Sequence, residues 1–168
     1  MNYHKIIRLF LIICLIGLNF LMTNSPAYAA SVDPVIRRYF GTEPVDVQFD
    51  RQGTTHQFTL EELNEGKELF DNSCVNCHAG GLTFLGSDVS LSLADLRAAT
   101  PPRDTIDSFI SYMRYPLSYD GSDTNYWCRQ VSENWMPQPT AEKLAAYILQ
   151  AAEVVPGWGV PQKSPFDL

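Results

Sequence analysis

Two cysteines separated by two residues and followed at once by a histidine constrain this chain of 168 residues more than any other feature. They are Cys74, Cys77 and His78. With this spacing both thiols lie on one helical turn, where each can add to one vinyl group of a haem while the adjacent imidazole reaches the iron. The motif therefore predicts one covalently attached haem c, bound through Cys74 and Cys77, with His78 as the proximal iron ligand.

Three other uses of a cysteine pair match the sequence less well. A thioredoxin-like dithiol would follow a strand in a βαβ unit, whereas a capped helix is predicted before this pair. A zinc site would need a second pair of ligands at matching spacing, and the sequence has none. A structural disulfide would leave His78 without a role.

The first 29 residues have the layout of an export signal. Lys5 and Arg8 give a basic start, an apolar run covers residues 9–22, and the segment closes on Ala-Tyr-Ala at 27–29. Small residues at those positions are what a signal peptidase recognises, so we expect cleavage after Ala29. A retained anchor is the alternative, since the run approaches the shortest length that spans a bilayer.

Residues 30–168 are predicted to form a single domain, close to the commonest domain size. Without Lys5 and Arg8 the chain holds 10 basic against 19 acidic side chains, a net charge of −9. This charge argues against nucleic acid or an anionic membrane surface as a partner and favours a basic protein. We expect a protein that is peripheral to a membrane at most. An odd number of cysteines remains, which argues against a disulfide framework.

The N-terminal part of this domain is predicted to form a β-hairpin followed by a helix. Apolar and polar residues alternate on both sides of a polar turn at 50–53, within residues 44–60. Thr59 and Glu62 then have the spacing of a capping box, which predicts a helix that ends near Asn72, just before the cysteine pair.

Three further helices are predicted downstream, capped by Ser92, by Asp104 and by Thr140. The first of them must end before Pro101. Between the second and the third, residues 116–139 contain prolines and few periodic signals. A loop of this length inside a small domain is usually functional.

The fold class predicted from these patterns is mostly α, as a small monohaem c-type cytochrome fold with an N-terminal β-hairpin. In such proteins the first and last helices cross closely. Gly66 would let the two backbones approach, and Phe70 and Tyr147 would fill the contact.

The residues do not decide which group is the sixth iron ligand. Two side chains of the long loop are candidates, and the alternative is an open site or another ligand. Cys128 has no partner once the haem binds the other two thiols, and coordination would protect it from oxidation. Met136 precedes Pro137, the position at which small cytochromes often carry a methionine ligand. A thiolate would hold the reduction potential low, whereas a thioether would raise it. His56 is expected to be a strand histidine and Met113 a core residue.

Several segments outside the cysteine pair also carry a family resemblance. They are Glu65-Gly66-Lys67 with Leu69-Phe70, Gly80-Gly81, Ala99-Thr100-Pro101-Pro102-Arg103-Asp104, Tyr112-Met113, Tyr119-Asp120-Gly121 and Trp158-Gly159. Together with the haem motif they resemble the cytochrome c-550 family, the extrinsic low-potential cytochromes on the lumenal side of cyanobacterial photosystem II.

The resemblance implies a location in the thylakoid lumen and a partner that is either the lumenal side of photosystem II or a soluble redox protein. The family uses two axial histidines, yet no histidine follows His78 in this sequence. Cys128 stands close to where the second family ligand would fall, which favours it over Met136 as the sixth ligand. The resemblance therefore implies a divergent paralogue of the photosystem cytochrome.

We expect a low-potential electron-transfer protein and not an enzyme, with the haem as its sole redox group. One alternative is a structural subunit that stabilises photosystem II. Another is a haem-based redox or gas sensor, which would require the bond between Cys128 and the iron to be labile or absent.

Other residues near the predicted site carry weaker expectations. Arg129 follows Cys128 directly and would favour its thiolate form. Arg103 and Arg114 are expected to bind haem propionates or to lie on the surface. The three tryptophans are expected to pack against the haem or to form a docking surface, and packing is favoured: Trp127, Trp135 and Trp158.

Overall fold

The computed structural model divides the chain into two compact units, Met1–Ser31 and Val32–Leu168. In the first unit the described residues are helical, and the predicted cleavage site at Ala29 lies outside them. Within the described part of the chain, no helix has the length and apolarity needed to cross a bilayer. The structure describes these residues: 3–4, 7–8, 11–13, 32–84 and 89–161.

The second unit is mostly helical and contains one small sheet, which confirms the predicted fold class. In chain order its elements are α1 (Pro34–Tyr39), β1 (Val45–Gln48), β2 (Thr55–Phe58), α2 (Leu60–Ser73), α3 (Val75–His78), a 3-10 turn (Ala79–Gly81), α4 (Leu93–Ala98), α5 (Ile106–Arg114) and α6 (Gln138–Val154).

The hairpin forms where the alternating pattern predicts it. β1 and β2 are antiparallel, with Val45 opposite Phe58. The Asp50 carboxylate accepts the backbone N–H groups of Gln52 and Thr54 at 2.9 and 3.0 Å, which closes the turn between the strands. The sequence analysis missed the short helix α1, which precedes the hairpin.

Helix α2 begins with the predicted capping box. The Thr59 hydroxyl accepts the Glu62 N–H at 3.2 Å, and the Glu62 carboxylate accepts the Thr59 N–H at 3.0 Å. The Ser92 cap is also confirmed, since its hydroxyl accepts the Asp95 N–H at 3.2 Å. Side chains that accept the free N–H groups of a first turn fix where each helix starts.

Two predicted caps were wrong. Helix α5 is capped by Thr105, whose side chain exchanges hydrogen bonds with Ser108, and Asp104 instead forms ion pairs with Arg51 and Arg97. Helix α6 begins at Gln138, before Thr140, because a proline in its first turn is preorganised for the helix.

The core lies where α6 packs against α2 and α5. A Cβ atom added to Gly66 would overlap the Lys143 carbonyl oxygen and lie 2.9 Å from the Tyr147 Cβ atom. The Phe70 ring packs against Tyr147 at 5.7 Å and against Trp158 at 5.4 Å between centroids. The predicted crossing of the first long helix and the last helix is therefore present, and it requires a glycine at position 66.

We expect Gly66→Ala to lower the free energy of unfolding by roughly 1–3 kcal/mol, because the added methyl group forces the two helices apart. Urea unfolding of the purified protein measures this loss. The control is Glu61→Ala, at an exposed position of the same helix, which should change the free energy by less than about 0.5 kcal/mol. Equal effects of the two substitutions would contradict the close helix crossing.

Candidate haem site

The cysteine pair and the histidine lie on a single helical turn at the end of α2. Cys74 is the C-cap of α2, and its carbonyl oxygen accepts the N–H groups of Cys77 at 3.0 Å and of His78 at 2.9 Å. Cys77 is exposed, Cys74 is partly buried, and both are free thiols. The turn therefore carries two thiols and one imidazole on one short segment of backbone.

The His78 ring is partly buried and is oriented by the segment that follows it. Its Nδ1 atom lies 3.3 Å from the Thr83 hydroxyl oxygen. Burial lowers the pKa of His78, and a hydrogen bond with the Leu82 backbone opposes that shift. A neutral imidazole whose Nδ1 side contacts the protein leaves Nε2 for a metal, which is the usual arrangement of a ligating histidine.

These donors match a covalently bound haem better than they match a bare metal ion. Among the described residues, no group of three or more His, Cys, Asp or Glu side chains could hold a metal ion. The residues instead supply two free thiols for bonds to carbon and one neutral imidazole for iron. The site therefore fits haem c.

Cys128, from the long loop between α5 and α6, is brought close to this turn. Burial raises the pKa of Cys74 to about 11, and the charges of Cys128 and Cys77 add to the effect. Cys128 is partly buried, and its backbone N–H donates to the Asn125 side-chain oxygen at 3.3 Å. The fold thus places a third sulfur beside the haem motif.

Arg103 holds the beginning of this loop. Its side chain is 7% exposed and donates to the carbonyl oxygens of Leu117 at 3.1 Å and Ser118 at 2.8 Å. Its Nε atom is buried and has no hydrogen-bond partner among the described residues. At this low exposure Arg103 is not a surface residue, and a role in binding a haem propionate stays a prediction.

Arg114 holds the end of the loop in the same way. Its guanidinium donates to the carbonyl oxygens of Val131 at 2.9 Å and Met136 at 2.8 Å. These hydrogen bonds give it a structural role that the expectation of a propionate or surface residue did not include. Two cations therefore fix the loop that carries both candidate sixth ligands.

The two candidates differ in their surroundings. Met136 is 3% exposed and belongs to the hydrophobic core. Cys128 is only partly buried, and its charge contributes to the raised pKa of Cys74 in the haem motif. The earlier expectations for His56 and Met113 are confirmed: His56 lies in β2, stacked on Phe49 at 4.0 Å, and Met113 is 7% exposed within the core.

The cation that interacts with Cys128 is Arg103, far from it in sequence. Burial lowers the pKa of Arg103, and the charges of Tyr112, Cys128 and Tyr119 oppose that shift. Arg129 instead lies over the Trp135 ring, 5.2 Å from its centroid. Sequence neighbours gave no signal for this effect of Cys128 on Arg103, because it depends on the tertiary fold.

The three tryptophans differ in burial: Trp158 packs in the core, and haem packing or docking by Trp127 and Trp135 stays a prediction. Trp158 is 8% exposed and donates through Nε1 to the Leu91 carbonyl oxygen at 3.0 Å. Trp127 and Trp135 are 84% and 48% exposed, so they are not packed in the core. Both lie in the loop between α5 and α6, where polar contacts of the backbone, rather than apolar burial, set the conformation.

The chain is similar in sequence to known proteins. Residues 38–164 match the cytochrome c-550 domain. A "Cytochrome c-550-like protein" of Synechococcus sp. (strain JA-3-3Ab) is 48% identical over 136 residues, which are 80% of this chain and 78% of that protein. "Photosystem II extrinsic protein V" of Gloeobacter violaceus is 46% identical over 116 residues, 69% of this chain and 62% of that protein.

A solved structure is similar as well. The crystal structure of the PsbV2 cytochrome from the cyanobacterium Thermosynechococcus elongatus has 50% sequence identity and a TM-score of 0.75. The match covers 77% of this chain and 99% of that one. Sequence and fold therefore lead to the same group of proteins.

Replacing Arg114 with methionine should destabilise the loop, because it leaves the Val131 and Met136 carbonyl oxygens without their charged donor. The expected loss is roughly 1–3 kcal/mol of unfolding free energy, measured by urea denaturation. Arg129→Met, at an exposed position in the same loop, is the matched control and should cost less than about 1 kcal/mol. The structural role of Arg114 is refuted if the control is equally destabilised.

Proposed function

Since the chain belongs to the cytochrome c-550 family, we propose that it is a low-potential electron-transfer protein of the thylakoid lumen with one covalently bound haem c. The single turn that carries Cys74, Cys77 and His78 supports this proposal. The haem would be its sole redox group, and the protein would not be an enzyme.

The three residues of the motif have separate roles in this proposal. Cys74 and Cys77 would hold the haem covalently, each thiol adding its sulfur and its hydrogen across one vinyl group. His78 would bind the iron through Nε2, with its Nδ1 side against Thr83. When bound, haem supplies a one-electron iron couple.

Cys128 is proposed as the sixth ligand because no histidine follows His78 and Cys128 stands close to where the second ligand of the family would fall. The loop that carries it is held at both ends by hydrogen bonds from Arg103 and Arg114, which supports the assignment. Met136 is less well placed, because at 3% exposure it is already packed in the core. A thiolate stabilises ferric iron, so this ligation corresponds to a low reduction potential.

The proposed location rests on the N-terminal sequence and on the relatives. We propose that residues 1–29 are an export signal cleaved after Ala29 and that residues 30–168 are a single domain. The relatives described above are cyanobacterial, and one carries the name of an extrinsic photosystem II protein. Export into the thylakoid lumen would place the chain on the side where such proteins bind.

A second function, as a structural subunit of photosystem II, is favoured by the similarity to photosystem II extrinsic protein V. A net charge of −9 for residues 30–168 would steer the protein to a basic surface on that complex or on a soluble redox partner. Electron transfer and stabilisation are compatible roles for one docked protein.

The Cys128→Ser variant tests the proposed ligation. Loss of the thiolate should change the low-spin electron paramagnetic resonance (EPR) spectrum of the oxidised protein and raise the reduction potential, measured by redox titration. Met136→Leu is the matched control and should leave both unchanged. The assignment fails if Cys128→Ser leaves the spectrum and potential unaltered while Met136→Leu shifts them.

Photosystem II from which the extrinsic proteins have been removed tests the docking. We expect the haem-loaded protein to bind at about 0.01 M salt, where the Debye length is about 30 Å, and to dissociate at about 1 M salt, where it is about 3 Å. Sedimentation with the complex measures binding, and oxygen evolution measures stabilisation. Absence of binding at low salt would instead point to a soluble partner.

A further inference from the structure

Thr83, five residues after His78, contacts the imidazole ring of that histidine. The Thr83 hydroxyl oxygen lies 3.3 Å from the His78 Nδ1 atom, and both side chains are partly buried. The Phe84 N–H donates to the Cys77 carbonyl oxygen at 2.9 Å, which brings the chain back toward the haem motif at this point. A hydrogen bond that is partly shielded from water is stronger than one in bulk solvent.

Distant segments of the chain hold the turn that separates these two side chains. The Gly80 carbonyl oxygen accepts the Gly159 N–H at 2.8 Å, and the Gly81 carbonyl oxygen accepts the Leu91 N–H at 2.7 Å. Gly81 has a φ of 80°, and a Cβ atom added there would lie 2.6 Å from the Trp158 Nε1 atom. The backbone between the imidazole and the hydroxyl is therefore fixed by tertiary contacts, and the fold sets the distance between the two groups.

The tautomer of the imidazole decides which of the two groups donates. A neutral imidazole that binds iron through Nε2 carries its hydrogen on Nδ1. In the haem-loaded protein the Nδ1–H of His78 would therefore donate, and the Thr83 hydroxyl oxygen would accept. A hydroxyl oxygen has two lone pairs and is suited to this role. The Leu82 backbone, which also forms a hydrogen bond with His78, is the alternative partner.

We propose that Thr83 is a positioning residue whose hydroxyl oxygen accepts the Nδ1–H of His78, fixes the orientation of the imidazole and lowers the reduction potential of the iron. This inference rests on the proposed haem attachment and on ligation by His78, and it holds whether Cys128 or Met136 is the sixth ligand. An acceptor at Nδ1 makes the imidazole a more basic ligand. A more basic ligand favours ferric iron, so the potential falls.

The substitution Thr83→Val removes the hydroxyl and keeps the size and the branching of the side chain. In the haem-loaded protein we expect the ferric form to be favoured about threefold less. This is only part of the effect of one neutral hydrogen bond, because the bond is present in both oxidation states. For a one-electron couple the potential becomes about 28 mV more positive, measured by redox titration. The EPR g-values of the oxidised protein should shift as well, because the imidazole becomes a weaker donor.

Thr83→Ser is the matched control, because it keeps the hydroxyl and loses the methyl group. We expect this variant to retain the wild-type potential and g-values. A role of residue 83 in packing alone would move the potential of both variants alike and overturn the proposal. A potential that becomes more negative in Thr83→Val would also overturn it, since that sign would mean that the hydroxyl donates to the ring.

The spectrum of the wild-type protein separates this inference from the function on which it rests. If that protein carries a covalent, low-spin haem and Thr83→Val changes neither the g-values nor the potential, the role of Thr83 is overturned and the proposed function stands. The Leu82 backbone would then be the partner of the imidazole. If the wild-type protein carries no covalent low-spin haem, both the ligation by His78 and the role of Thr83 are overturned.

Discussion

The close crossing of α2 and α6 at Gly66 is the contact on which the rest of the structure depends. It brings the Lys143 backbone to within van der Waals distance of α2 and packs the rings of Phe70, Tyr147 and Trp158 around the contact in tilted and edge-on arrangements. One end of α2 carries the haem motif, and the loop that contains Cys128 leads into α6. Packing these helices without a side chain between them therefore also sets the distance between the motif and the loop. A larger residue at position 66 would disturb the site as well as the core.

Hydrogen bonds from buried Arg103 and partly buried Arg114 fix the loop that the helix crossing brings to the site. A loop with little regular structure has many carbonyl groups that need partners, and Arg103 and Arg114 supply donors to four of them. Arg103 also lies over the Tyr112 ring, with its Cζ atom 3.8 Å from the ring centroid. The two arginines thus hold the beginning and the end of the loop that carries the proposed ligand.

Much of this arrangement could be predicted from the sequence where the signal is local. The spacing of the haem motif, the capping box at Thr59 and the glycine at position 66 depend on residues within a few turns of one another, and they predicted the site, the start of α2 and the helix crossing. The cap of α5 was misplaced by one residue because Asp104 and Thr105 are both good caps, and the choice depends on ion pairs of Asp104 with distant arginines. The roles of Arg103 and Arg114 could not be predicted. A hydrogen bond from a side chain to a carbonyl group farther along the chain leaves no periodic pattern in the sequence.

The EPR spectrum of the oxidised wild-type protein is the first measurement to make on the proposed ligation of one haem by His78 and Cys128. We expect a low-spin ferric signal with the narrow spread of g-values typical of thiolate ligation, together with a low reduction potential. A near-infrared charge-transfer band of the methionine type, with a high potential, would contradict it. That result would make Met136 the ligand and Cys128 an unligated thiol.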